Sequence, residues 1–241
     1  FYSDSTPNSG WYDQPASGIA LTNISTAGTG CTLDFSGVGP QWTGSAGASW
    51  NTPGSWSVER VPGVNETTVI PAGVGAWPVI DAAASVGNLT ILDGAHLSAS
   101  ADVEFSVYDT WTELGSGYFD AGAGTVVFRG SRPQTITSGA NSHFNHLQIG
   151  GGGSTQTVTA GSNLDVNGNL TIQPGASLAG GANTLRVGGA WNDAPFGFIP
   201  GTSTVVLDGT AQTVQKVGST ATVYSSDFTS STGWTTYDPN G

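Results

Sequence analysis

The residues able to do chemistry are few in this chain. It carries 17 Asp and Glu, five Lys and Arg, three His and a single Cys in 241 residues. Hydrolysis of a glycosidic bond would need two carboxylates facing one groove, and elimination across an acidic sugar would need a cationic base, usually with Ca2+. Asp102 and Glu104 lie on strand-like runs; Glu113 follows Trp111, and Asp120 precedes a glycine turn. No Asp-Asp pair occurs. Arg129 and Arg132 lie on either side of Gly130 and could hold an anion, although a solvated turn explains them as well. His143 and His146, three apart on one expected strand, project to opposite faces and make a poor metal pair; His96 is the third histidine. Asp165, Asn167 and Asn169 imitate the start of a Ca2+ loop but lack its distal Glu, and an Asn-Gly corner between strands accounts for the same residues. No glycine-rich segment precedes a helix, so no phosphate loop is read. The residues imply no catalytic set, no metal and no cofactor, and the chain is read as a non-enzyme.

Charge narrows the partners. The formal net charge is −12, and five dispersed cations cannot line a phosphate backbone, so nucleic acid is excluded as a partner. Thirteen of the acids are Asp, a turn former, so much of the acidity marks turns. No apolar run approaches the ~18 residues of a membrane span. The sequence starts at Phe1 with no signal peptide, and a start without Met reads as a processed, exported chain. Cys31 has no disulfide partner and reads as a small buried hydrophobe. Four sequons, at Asn23, Asn65, Asn88 and Asn169, are candidate glycosylation sites. The eight Trp (11, 42, 50, 56, 77, 111, 191 and 234) offer flat rings to a sugar. Core packing is the competing reading, with Trp42, Trp50 and Trp56 capping a first rung.

The elements that would hold these residues are strands. Apolar residues alternate in short runs such as Leu89/Ile91, Val103/Phe105/Val107, Leu164/Val166 and Leu185/Val187, which puts one set of side chains on one face. Asp-Gly, Pro-Gly, Asn-Gly and Gly-Gly separate the runs, and no stretch shows helical spacing. The runs belong to an internal repeat. Asn88-Leu-Thr-Ile returns as Asn169-Leu-Thr-Ile, Trp111 as Trp191, Thr125-Val-Val as Thr204-Val-Val, and Gln134-Thr-Ile as Gln212-Thr-Val. The offsets are 81, 80, 79 and 78 residues, the drift expected of small deletions in turns. Successive short strands with small-residue corners and an inward apolar stripe favour a β-solenoid; a β-sandwich is the alternative.

Two stretches carry a resemblance. One runs Trp42-Thr-Gly, Ser49-Trp50, Gly54-Ser-Trp56, Val61-Pro62, Val69-Ile-Pro-Ala-Gly73, Pro78-Val-Ile80 and Val86-Gly-Asn-Leu-Thr-Ile91. The other runs Gly124-Thr-Val-Val-Phe128, Gly130, Gln134-Thr-Ile136 and Phe144-Asn-His-Leu147. Together they resemble the repeats of bacterial cell-surface β-helix proteins, the pectin-lyase-like adhesins and surface polymers, over roughly 42–215. The resemblance implies a right-handed parallel β-solenoid, an extracellular or cell-surface location, and a structural or adhesive role; it implies no ligand.

The expected organisation is therefore all-β, with a β-rich flank at 1–41, a solenoid at 42–218 and a second β-rich flank at 219–241. Each flank is expected either to cap the solenoid or to donate a strand. Ile19, Leu21, Ile24, Leu33, Phe35, Val223, Phe228 and Trp234 are the candidate assembly residues. The leading functional expectation is a self-associating, head-to-tail subunit of a surface filament or sheath. An adhesin module that binds glycan is the alternative, and a polysaccharide lyase or hydrolase the third.

Overall fold

The computed structural model describes residues 39–100, 102–210, 212–216 and 222–226, with side chains given for Thr213 and Val214 alone beyond residue 210. The candidates Trp11, Ile19, Leu21, Asn23, Ile24, Cys31, Leu33, Phe35, Phe228 and Trp234 lie outside the described residues. Apart from one turn of 3-10 helix (Pro53–Ser55), the described elements are strands. They wind into a parallel β-solenoid of about seven turns, consistent with the expected right-handed β-helix. The sandwich alternative fails on the registers, because every pairing but one between named strands is parallel and joins strands a turn apart.

Each turn lays a strand on each of three faces. Turn one is β1 (Thr67–Ile70), β2 (Val79–Ile80) and β3 (Ala84–Val86); turn two is β4 (Asn88–Ile91), β5 (His96–Ala99) and β6 (Glu104–Val107). Turn three is β7 (Trp111–Glu113), β8 (Tyr118–Asp120) and β9 (Thr125–Phe128). Turn four has only β10 (Gln134–Thr137) and β11 (His146–Ile149); on its second face, single bridges from His143 and Phe144 replace a strand. Turn five is β12 (Thr157–Ala160), β13 (Leu164–Val166) and β14 (Leu170–Ile172), and turn six is β15 (Ser177–Ala179), β16 (Thr184–Val187) and β17 (Trp191–Asp193). The last turn is β18 (Phe198–Ile199), β19 (Thr204–Leu207) and β20 (Gln212–Lys216), and β21 (Thr222–Ser226) folds back antiparallel on β20. Val223 lies in that returning strand.

Period-two alternation sends every second residue into a single core column, so Leu89, Trp111 and Ile136 stack in register and all are buried. Corners are held by side chains as well as by turns. Asn88 Oδ1 accepts the Thr110 N–H at 3.2 Å, and Asn169 Oδ1 accepts the Ala190 N–H at 2.8 Å, each reaching one turn ahead. The amides of two sequon residues are thus part of the corner framework, whereas Asn65 is simply exposed. The Asn167-Gly168 pair forms the corner between β13 and β14, where Asp165 points outward opposite Arg186.

The sequence repeat and the structural turn do not coincide. Register offsets run from 19 residues (Val79 with Ser98) to 25 (Trp111 with Ile136). An offset near 80 is therefore three turns plus two faces. Trp111 lies on the first face in β7, and its repeat counterpart Trp191 lies on the third in β17. Both are core, with exposures of 0% and 6%, but on different faces they do not stack on one another.

Candidate functional site

Three places gather groups that could act. The first is inside. Counting by twos from Trp111 puts Glu113 on the inward side of β7, and it is 95% buried at 5% exposure. Its Oε1 accepts the Trp111 Nε1–H at 2.7 Å, and its Oε2 accepts the Gly139 N–H at 2.8 Å and the Ser142 hydroxyl. The Ser142 oxygen in turn accepts the Phe119 N–H at 2.8 Å. Burial pushes the carboxyl above its ordinary pKa, and the three donors pull against that. This acid of turn three ties the loop that replaces a second-face strand in the strand-poor fourth turn to the turn beneath it.

Above that loop lies a groove of about 360 Å³, lined by Ser138, Gly139, Ser142, Asn163, Asp165 and Arg186 among others. Asn163 Oδ1 already accepts the Thr184 N–H at 2.8 Å, and Arg186 Nη1 is 3.6 Å from Asp208. The groove offers one carboxylate, Asp165, while both oxygens of Glu113 are taken below its floor. Asp102 is not on a strand as expected. It occupies a left-handed turn residue (φ 57°), while Glu104 begins β6 and pairs with Arg129 at 2.8 Å. Asp120 turns on itself, its Oδ1 accepting the Gly122 N–H. Arg132 is exposed in a second groove beside Tyr108, Asp109 and Asn88. His143 bridges to Asp120 on the second face, whereas His146 opens β11 on the third and accepts the Asn169 N–H at Nδ1. The structure brings none of these sets together.

The second place is an outer aromatic file on the second face. His96 stacks on Tyr118 with centroids 4.1 Å apart and planes 16° apart, and Trp77 meets His96 edge-on at 6.4 Å. Burial lowers the His96 pKa, opposed by the nearby Asp120. Because His96 and Tyr118 lie face to face, one face of each ring is spent on the other. The remaining aromatics of the described N-terminal end are internal. Trp42, Trp50 and Trp56 are each at most 1% exposed, with edge contacts of 4.9 and 4.7 Å to the central Trp56. They close the first turn, as the capping reading expects.

The third place is the last turn. Three corners use the same four-residue turn, closed by the N–H of Ala95, Ala176 or Gly197 donating to the carbonyl of Leu92, Gln173 or Ala194. In the first two the third residue is glycine, Gly94 (φ 72°) and Gly175 (φ 89°), as a turn with positive φ there requires. In the last it is Phe196, at φ 62°. Pro174-Gly175 and Pro195-Phe196 stand one turn apart on the same corner. Phe196 is also 96% exposed, and Ile199 and Val205 follow it at 46% and 39%. Searches of protein families, curated proteins and solved structures give no match to this chain. Sequence reading missed this corner, although a Pro-Phe-Gly where the previous turn has Pro-Gly was its signal. Glu113 was weighed only as an acid, although its spacing from Trp111 already marked it inward.

Proposed function

We propose that the chain is a structural module of an extracellular surface protein, and that it self-associates through the corner built by Pro195, Phe196, Ile199 and Pro200. The resemblance of its repeats to cell-surface β-helix proteins supports the location and the class. Phe196 carries the association reading. A bulky side chain in the left-handed region costs about 1–2 kcal/mol, and leaving a phenyl ring in water forgoes about 1.5–3 kcal/mol of burial. Nothing among the described residues returns either cost, and a second copy covering the corner would return the second. The first turn favours a joint at the side over rung-on-rung stacking: β1 and β2 already have their outer edges filled by backbone groups of Pro40, Trp42, Ala48 and Trp50.

Electron microscopy of the native material, with mass by light scattering, tests association. Phe196→Gly separates its cause. The variant is expected to unfold at a higher temperature, by up to about 1 kcal/mol, while losing association. The 241-residue chain staying at 24.3 kDa at every concentration would sink the reading. Glycan adhesion is the second reading, favoured by the polar groove along Asp165 and Arg186, and a glycan-binding screen addresses it.

A further inference from the structure

The three faces of the solenoid show solvent different side chains, and the first shows mostly threonine. Leu89, Trp111, Ile136 and Ala160 stand level in successive turns, and all are buried, so the residues on either side of them point out. Thr90, Thr112 and Thr137 thereby form one outward file. Thr135 and Thr159 form a second, which Thr110, just ahead of Trp111, extends toward Asn88. No outward position of this seven-stranded sheet is charged or aromatic. The second face instead carries Tyr118, Asp120, Asp165 and Arg186, and the third carries Glu104. A chain of net charge −12 thus keeps one broad face neutral.

The hydroxyls on that face are free. Among the described residues those of Thr90, Thr112, Thr135, Thr137 and Thr159 make no hydrogen bond, and Thr110 reaches only Asp109, at 3.4 Å. Neighbouring strands lie about 4.8 Å apart and alternate residues about 6.6 Å along a strand, so the two files form a grid. Branching at Cβ stiffens χ1, which holds each methyl and hydroxyl in place.

A grid of this scale is comparable with the oxygen repeats on a face of ice. A water that a protein must itself immobilise costs entropy, whereas a water already fixed in a crystal does not. A stiff array in step with the lattice gains its contacts without that cost. Threonine serves both sides of such a contact: its methyl leaves liquid water, and its hydroxyl continues the hydrogen-bonded lattice. A crystalline polysaccharide is the competing lattice. Sugar planes stack on aromatic rings, however, and the exposed Tyr118 ring stands on the second face.

We propose that the threonine grid of the first face is an ice-binding surface, with the ordered water of the crystal as its ligand. It requires no association at the Phe196 corner.

Ice growth tests it. The chain, carrying a fluorophore, is expected to concentrate in a slowly grown ice hemisphere and to give thermal hysteresis in nanolitre osmometry. Thr112→Lys with Thr137→Lys, neighbours in the first file, should lose most of both while unfolding at the parent's temperature. If that pair unfolds the chain, Thr135→Tyr with Thr159→Tyr replaces it, since tyrosine suits a strand, with the same expectation. Tyr118→Ser on the second face should change neither. Exclusion of the parent chain from ice, as for an ordinary soluble protein, would overturn the proposal. So would full uptake by the threonine variants. Retention on crystalline cellulose or chitin with no uptake into ice would overturn it in favour of a polysaccharide.

Discussion

Trp111-Thr-Glu113 and Trp191-Asn-Asp193 are the same segment of the repeat in two settings. In both, the indole and the acid face inward from consecutive odd positions of a three-residue strand. In the first, the acid meets the Trp111 indole, a loop amide and a serine hydroxyl. In the second, Asp193 is one methylene shorter, and its Oδ1 is buried with no hydrogen-bond partner among the described residues. Burial raises its pKa, and the Phe198 N–H is the group opposing that rise. The first setting lies inside the solenoid, with described turns on both sides, and the second borders the last described turn. The same residues thus become a brace or a liability according to the turns above and below them.

That contrast can be broken by substitution. Trp111→Ala is expected to cost about 4 kcal/mol, since a fully buried indole leaves a cavity and removes a donor from Glu113. Trp191→Ala should cost about half of that, roughly 2 kcal/mol, because the last turn can settle around the gap. Equal losses in urea midpoints would show that the two settings are energetically alike. Between these two, Glu113→Ala is expected to cost about 3 kcal/mol by orphaning the Trp111, Gly139 and Ser142 donors. Asp193→Ala is expected to stay within about 0.5 kcal/mol of the parent, or to stabilise it. A large loss at Asp193 would mean that its bond to the Phe198 N–H braces the last described turn.

A pH series sharpens the same comparison. The folded pKa of Glu113 lies above its ordinary 4.5. The folded state therefore holds the proton more tightly than the unfolded one, and this group's contribution falls as pH rises from 4.5 through the folded value. Glu66 works the other way. The Arg60 guanidinium, with Nη1 at 2.6 Å, lowers its pKa, so its contribution is lost as pH falls through that lowered value. Glu113→Gln should flatten the decline above pH 4.5, and an unchanged slope in thermal melts would remove Glu113 as its source. A smaller loss than at Glu113 is expected at the corners. Asn88→Ala should cost about 1 kcal/mol, for one lost bond to the Thr110 amide.

Much of this architecture was legible because it is local. Alternation at Leu89/Ile91 and Leu185/Val187 named the inward residues, and Asp-Gly, Pro-Gly and Asn-Gly named the corners. Which face a strand occupies was not legible, since each strand and corner reads the same on all three. The Glu113 brace joins residues 26 and 29 positions apart, and Asp102 left its expected strand for a left-handed turn. Such contacts depend on the residue count of each turn, which drifts from 19 to 25. Period two says nothing about that count.

The mismatch between repeat and turn bears on how such a chain can grow. A copied segment of about 80 residues lands two faces away from its original, yet it folds, because inward residues stay inward wherever they fall. The outer surface is not copied in place: Glu104 and Arg129 have no facing duplicate one copy on. Lengthening by duplication thus preserves the interior and scrambles the exterior, so each new stretch of wall is free to diverge without first undoing an inherited patch.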